Sequence, residues 1–301
     1  MKQPYFDLIK NEMIKVWPDH ERVINKSLSQ RDDELLIFTE KISEMIYNLI
    51  SEDIVQYCES YKWTCQMLTQ EEIYFRREGK YRFSKLSEVQ SSVYDDSEFM
   101  SKYVRGLLLT QVMWTNHINT MFCYDKFLEK NKIGSILEIG PGHGLLIAIA
   151  GLKGITDITA WDISEASLEE TKKNLKTILP NLKVNYVKMD ALNEIKMKSF
   201  DKKYDAIVLS EVLEHIEDPG KMLLNTKEVM NSNANLFINI PINCPAPDHI
   251  CFFDSVGSVE KLIIDAGLKI SELSQYPLTG YNLEIAMKRA LAVSICLTAK
   301  N

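Results

Sequence analysis

The sequence predicts an α/β protein, with a helical domain over residues 1–130 and, over residues 131–301, a domain in which strands and helices alternate around a parallel sheet. Two observations carry that reading. Of the 12 glycines only Gly79 and Gly106, and of the 9 prolines only Pro4 and Pro18, precede residue 131, so the first part lacks the residues that punctuate turns. After Asn131 short β-branched runs recur between helical segments, which is the pattern of βαβ units.

From Asp32, the residues Leu35, Ile37, Phe38, Ile42, Ile46, Ile50 and Ile54 recur at threes and fours, which predicts an amphipathic helical stripe. Residues 74–83 mix aromatic and basic side chains around Gly79 and read as a hairpin or turn. A second stripe starts at Ser97, read as the N-cap beside Asp96 and Glu98. It runs through Phe99, Tyr103, Leu107, Val112, Trp114, Ile118, Phe122 and Phe127 toward Lys130. In the second domain, strands are expected over 135–140, 157–162, 183–190, 204–210 and 234–241. Helices fit 145–153, 165–178, 220–230 and 256–266, the last closed by Gly267 as a C-cap. The runs 268–277 and 291–299 supply strands six and seven.

Composition excludes several classes. With 46% hydrophobic and 26% charged residues the chain is neither fibrous nor disordered, and a net charge of -7 provides no positive field to hold a polyanion. The start carries charges and a proline where a signal peptide needs an apolar core. The longest apolar run, 145–152, falls short of the roughly 18 residues of a membrane span, so a cytoplasmic protein is expected. Six scattered cysteines suggest reduced thiols, and the pairs Cys58/Cys65 and Cys244/Cys251 lack zinc spacing, so no metal is expected.

The most informative stretch is Gly140-Pro141-Gly142-His143-Gly144, between an apolar strand and a helix. Glycines there let the backbone approach a ligand, and the next helix offers unpaired N–H groups. The spacing differs from the Gly-x-Gly-x-x-Gly of dinucleotide dehydrogenases, since Gly144 falls one residue early. Asp162 ends the second strand, where a carboxylate can bridge two ribose hydroxyls, and Asp190 ends the third, where it can meet an adenine amino group. Taken singly, either aspartate also reads as a helix cap.

The strings EIGPGHG, WDIS, MDA and DAIVLSEVLEHIEDP resemble the successive motifs of class I S-adenosylmethionine-dependent methyltransferases, the last most like the small-molecule enzymes of the ubiquinone-biosynthesis type. The resemblance covers residues 131–301. It implies a Rossmann-like seven-stranded sheet with the last strand antiparallel, and S-adenosyl-L-methionine as cofactor. It also implies that Glu138, Gly140 and Gly142 hold the methionine part, Asp162 and Ile163 the ribose and adenine, Asp190 and Ala191 the adenine, and Ser210 with Glu211 the amino end. The first 130 residues match none of these motifs and look like the helical cap that many small-molecule members carry, which implies a covered site.

Methyl transfer from a sulfonium is an in-line displacement, so the enzyme mainly aligns the partners and excludes water, and a base is needed only for an acceptor that binds protonated. The loop after strand five, stiffened by Pro241, Pro245 and Pro247, presents Asn243, Asp248 and His249. His249 is the expected base or acceptor-orienting group, with Asn243 beside it; a hydrogen bond within the loop is the plainer role. Asn116, His117 and Tyr103 are the cap residues expected to face the substrate. His215 is expected to open the helix after strand four in a structural role, and His143 either to cover the cofactor or to face solvent. The aromatic set Tyr74, Phe75, Tyr81, Tyr103, Trp114, Phe122 and Tyr124 would surround a sulfonium or simply fill the helical core. Arg76, Arg77, Lys80 and Arg82 would meet an anionic substrate or line a solvated turn.

The function expected is methyl transfer to a small-molecule, specialised-metabolite acceptor. The alternative keeps the pocket and makes the cofactor the sole substrate, releasing methylthioadenosine and a cyclised amino acid such as azetidine-2-carboxylate. The expected partner is a small-molecule substrate, with neither nucleic acid nor membrane, and the apolar stripes would suit a homodimer.

Overall fold

The computed structural model describes residues 3–193, 197 and 200–301. They fall into two compact units, one of Met1–Phe122, Asn243–Phe252 and Tyr276–Ser294, the other of Cys123–Ile242, Phe253–Gln275 and Ile295–Asn301. This division differs from the expected boundary at residue 130. The first unit also takes in the loop after strand five and the connection between strands six and seven, which a left-to-right reading assigns to the sheet domain.

In chain order the elements begin with α1 (Tyr5–Val16), α2 (Glu21–Leu28), α3 (Asp33–Ile50) and α4 (Ile54–Glu78). A short α5 (Leu86–Val89), α6 (Ser97–Met113) and α7 (Thr115–Lys130) follow. Next come β1 (Ser135–Ile139), α8 (Leu145–Leu152), β2 (Asp157–Asp162), α9 (Glu165–Ile178), β3 (Val184–Lys188) and β4 (Tyr204–Ser210). The chain closes with α10 (Pro219–Lys227), β5 (Met230–Ile242), α11 (Val256–Asp265), β6 (Lys269–Pro277), α12 (Leu283–Lys288) and β7 (Val293–Lys300). Among the described residues no helix is long and apolar enough to cross a membrane.

In the first unit the stripe from Leu35 is real but shorter than expected. Leu35, Phe38, Ile42, Ile46 and Ile50 are buried on α3, a turn over 51–53 ends the helix, and Ile37 points outward with 74% of its surface exposed. The second stripe also breaks. Its N-cap is Asp96, whose carboxylate accepts from Phe99 N at 2.9 Å, so Ser97 is already inside α6. Trp114 is extended and separates α6 from α7. Residues 74–83 form no hairpin, because α4 continues to Glu78 and stops at Gly79 in the left-handed region (φ 70°). The three arginines of the basic cluster beside it are paired within the unit: Arg82 with Glu71, Arg76 with Glu72 and Arg77 with Glu78. Helices α4 and α6 pack closely at Gly106, where an added Cβ would lie 2.8 Å from the Ser60 carbonyl oxygen.

The second unit is built on a seven-stranded mixed sheet of order β3-β2-β1-β4-β5-β7-β6. Strands β1 to β5 pair in parallel, and β-branched and Leu side chains buried on both faces give the continuous apolar text that parallel strands need. The helix expected over 220–230 ends at Lys227, because the residues from Met230 onward join β5 through an irregularity opposite Tyr204 and Ala206. His215 closes a single 3-10 turn over Leu213–His215, and the next helix starts at Pro219, so His215 does not open it. The strand order reverses between β1 and β4. The crevice outside the carboxyl ends of these two strands is where open α/β sheets bind ligands.

Candidate functional site

Within the second unit, the residues following β1 and β4 stand at that reversal. The glycine turn holds Gly140, Gly142 and Gly144 in the left-handed region at φ 70°, 50° and 80°, with the N–H groups of Gly140 and Gly144 donating to the carbonyls of Trp161 and Pro141 at 2.8 Å each. An added Cβ at Gly140 would lie 2.9 Å from Val212 Cγ2, while one at Gly142 would meet nothing within 4 Å, so the backbone at Gly142 is open to an approaching group. Gly144 then caps α8 without any side-chain cap, leaving the first-turn N–H groups of the helix for a ligand. The turn is fastened from behind by α9: Thr171 Oγ1 donates to the Gly142 carbonyl at 2.6 Å and Asn174 Nδ2 to that of His143 at 3.4 Å. Burial pushes the half-buried His143 imidazole down to about 4, so it is neutral at physiological pH.

Glu138, next to the turn on β1, is 2% exposed, and its Oε2 has no hydrogen-bond partner among the described residues. Burial raises its carboxyl well above the usual range. An orphaned buried carboxyl beside open N–H groups fits a ligand carrying both a cationic and an anionic group, as an amino-acid moiety does.

Asp162 ends β2 and is half-buried. Its Oδ1 accepts from Ser164 N at 2.8 Å and its Oδ2 from Ser167 Oγ at 2.7 Å, so the two roles considered for it coincide: the carboxylate braces the start of α9 and is aimed by that bracing. Each oxygen retains a further lone pair for a ribose hydroxyl. Ile163 beside it is an aliphatic side chain with 59% of its surface exposed, suited to the face of a purine. Asp190 accepts from Leu192 N at 2.9 Å, and Ala191 is buried with its carbonyl accepting from Asn225 Nδ2 at 2.9 Å. At the end of β4, Glu211 has φ 54°, unusual for a residue with a side chain. Asn239 on β5 holds it there, its Nδ2 donating to Glu211 Oε1 at 2.6 Å and to Ser210 Oγ at 3.3 Å, while its carbonyl accepts from Glu211 N at 3.0 Å. Cradle, orphan carboxyl, paired ribose acceptor and exposed aliphatic face together fit S-adenosylmethionine.

The other expected residues belong to the first unit. Asn243 sits in the left-handed region (φ 49°), and Cys244 N donates to the Tyr81 hydroxyl at 3.2 Å. His249 is 5% exposed, and its Nδ1 donates to the Cys244 carbonyl at 2.7 Å. A carbonyl accepts only, so this bond sets the tautomer: in the neutral ring Nδ1 carries the proton and Nε2 the lone pair. The Tyr103 hydroxyl donates to Asp248 Oδ1 at 3.1 Å, joining one expected cap residue to the expected loop. Burial, then the neighbouring Asp248, keep that hydroxyl protonated by raising it well above its usual range. Asn116 is buried with its Nδ2 donating to Ser294 Oγ at 3.1 Å, and His117 Nδ1 meets Thr110 Oγ1 at 2.9 Å.

Sequence reasoning missed Thr171, Asn174 and Asn239. For two of them a signal was present: Thr171 interrupts the apolar stripe of Leu168 and Leu175, and Asn239 interrupts the apolar run of β5. A polar residue at a core position is a residue with a specific partner.

The family described as "Methyltransferase domain" matches residues 119–273, just over half of the 301 residues. The ubiquinone biosynthesis O-methyltransferase of Rickettsia typhi is 30% identical over 131 residues, covering 41% of this chain and 49% of that protein. The ribosomal protein L11 methyltransferase of Prochlorococcus marinus is 30% identical over 141 residues, 42% of this chain and 45% of that protein. The chain thus spans about half the length of the curated relatives it matches. An O-methyltransferase family protein from Burkholderia thailandensis superposes with a TM-score of 0.55 at 10% identity, over 82% of this chain and 72% of that one. That likeness is one of fold.

Proposed function

The chain belongs to the methyltransferase-domain family, of the class I S-adenosylmethionine-dependent type, and from that premise we propose that it methylates a small-molecule, specialised-metabolite acceptor. The observation that carries the cofactor part of the reading is the open glycine turn beside the orphaned Glu138 carboxyl. When bound, S-adenosylmethionine supplies a methyl group already activated on a sulfonium. The chain's own residues then have positioning work to do. The turn and the first turn of α8 hold the carboxylate end, Asp162 aligns the ribose, and Ile163 with Asp190 frames the adenine.

In the first unit, His249 is the group proposed to take a proton at Nε2 from an acceptor that binds protonated, with Nδ1 fixed on Cys244. The rings of Tyr81, Phe75 and Phe252 cluster around the same loop, with centroid separations of 5.1 to 6.0 Å counting His249, which suits a compact apolar or aromatic acceptor. The name of the Rickettsia relative carries a small-molecule pathway, as this reading expects, while that of the Prochlorococcus relative carries a protein acceptor. The aromatic cluster and not the relatives therefore supports the choice, and the net charge of -7 argues against a nucleic acid.

The test is to incubate the purified chain with S-adenosylmethionine, first alone and then with candidate acceptors, and to follow products by mass spectrometry. S-adenosylhomocysteine formed only with an acceptor is the expected result. Methylthioadenosine released from the cofactor alone, with a matching cyclised amino acid, would replace this reading by the lyase one.

A further inference from the structure

We propose that Tyr124 is a positioning residue for the cofactor site, its hydroxyl donating to the Glu138 carboxylate once that carboxylate ionises against a bound cationic group. The inference rests on the cofactor reading of the glycine turn. Its starting point is the register of the sheet in the second unit. Glu138 on β1 pairs with Ala160 on β2 and Val208 on β4, Ala160 with Tyr186 on β3, and Val208 with Phe237 on β5. Registered residues of parallel neighbours point to the same face, so Tyr186, Ala160, Glu138, Val208 and Phe237 form one row.

Tyr124, from the part of α7 that belongs to this unit, packs edge-on against Phe237 with ring centroids 5.1 Å apart, which puts it on the Glu138 face of the sheet. Two strand spacings, roughly 10 Å, separate Phe237 from Glu138, a span a tyrosine lying along the row can cover. Three buried polar atoms on that face lack partners among the described residues, Tyr124 Oη, Glu138 Oε2 and, two residues before Phe237 on β5, Asn235 Oδ1, and the first two make a complementary pair. One is a donor, the other an acceptor. The hydroxyl is driven upward first by burial and then by the charge of Glu138, so it feels the carboxylate and stays protonated. The row offers no competing charge, since Ala160, Val208 and Phe237 do not titrate and Tyr186 lies two strands away on the other side.

An isolated buried carboxylate is costly, and this one is held neutral by desolvation in the free chain. A cationic group arriving at the turn favours its ionised form, the proton leaves to solvent, and the new carboxylate calls for a second donor. Tyr124 supplies it with a charge-assisted bond from a group already desolvated. The hydroxyl needs no contact with the cofactor to do so.

The experiment is a double-mutant cycle read by titration calorimetry of S-adenosylhomocysteine into full-length wild type, Tyr124→Phe, Glu138→Gln and the double variant. Measurements in buffers of different ionisation enthalpy count the protons released. Tyr124→Phe should weaken binding roughly tenfold in the wild-type background and at most about twofold in the Glu138→Gln background, the coupling a bond to a charged group carries. Wild type should release a proton on binding, and Glu138→Gln should release none. Equal losses in both backgrounds, or Tyr124→Phe binding as well as wild type, would overturn the inference and leave the cofactor reading standing. A wild type that does not bind would overturn both. A folding defect is separated by thermal melts of the free Tyr124→Phe chain near pH 5, where Glu138 is neutral and the two chains should match; a large loss there would assign Tyr124 to packing and also overturn it.

Discussion

Glu138 has a measurable consequence even without a ligand. Its folded carboxyl is raised well above the ordinary value of 4.5 by burial, so the fold binds this proton more tightly than the unfolded chain does. Stability from the neutral carboxyl is therefore fully present below about 4.5 and drains away as pH climbs from there toward the folded value. Thermal melts of the free protein between pH 5 and 8 should show wild type losing stability relative to Glu138→Gln as pH rises; parallel curves would show that Glu138 is not buried uncharged. Asp162 is braced at both oxygens. Asp162→Ala should cost cofactor affinity on the order of 1 to 3 kcal/mol by calorimetry, whereas Ser167→Ala, which removes only one brace, should cost less. At His249 the Nδ1 bond separates tautomer from proton transfer. His249→Asn can keep the donor to Cys244 while removing the base, and turnover should fall by about 10² with cofactor affinity nearly unchanged. A variant with wild-type turnover would return His249 to a loop-bracing role.

Among the elements, what was legible and what was not divides along a physical line. The strands of the second unit and helices α8, α9 and α11 are set by local pattern, so periodicity and glycine placement find them to within a residue or two, except that β5 starts at Met230, four residues before the expected strand. The break at Trp114 in the helical unit is set by tertiary contacts and leaves no glycine or proline behind. Trp114 leaves the helix because its ring N–H reaches the buried Tyr61 hydroxyl at 2.9 Å, where His20 Nε2 also meets it at 2.8 Å, and α7 restarts with Thr115 N donating to Thr279 Oγ1 at 2.8 Å. No window of sequence around residue 114 contains residues 20, 61 or 279. The same limit hid the α9 clamp, since besides the Ser167 carbonyl of its own helix the Thr171 hydroxyl meets that of Gly142, 29 residues earlier. Thr171→Val keeps the shape and loses the hydroxyl, and should weaken cofactor binding roughly fivefold, with little change in melting temperature. Gly106→Ala should do the reverse: the added methyl group collides with the Ser60 carbonyl, lowering stability by about 1 to 3 kcal/mol in denaturant melts and leaving cofactor affinity alone.

For the molecule as a whole, the consequence lies in how the chain is shared between its two units. The first unit is assembled from three stretches, and the two later ones are inserted at the end of β5 and between β6 and β7. These insertions supply partners that the N-terminal helices need. Tyr103 donates to Asp248, Cys244 N donates to Tyr81, Gln30 accepts from Gly280 N at 2.8 Å, and Arg76 donates to the carbonyls of Arg289 and Ala290 at 3.0 and 3.2 Å. A reading that proceeds from one end of the chain assigns residues 1–130 a domain of their own, because glycine and proline content changes there, and composition is blind to a segment that leaves the sheet and comes back. If the three stretches form one cooperative body, residues 1–122 expressed alone keep their helical propensity but lose those bonds and the buried loop. The fragment should show strong far-ultraviolet and weak near-ultraviolet circular dichroism and melt over a broad range, while full-length protein melts cooperatively. A fragment with a sharp transition matching the full chain would mean the helices are self-sufficient and the two insertions merely lie against them.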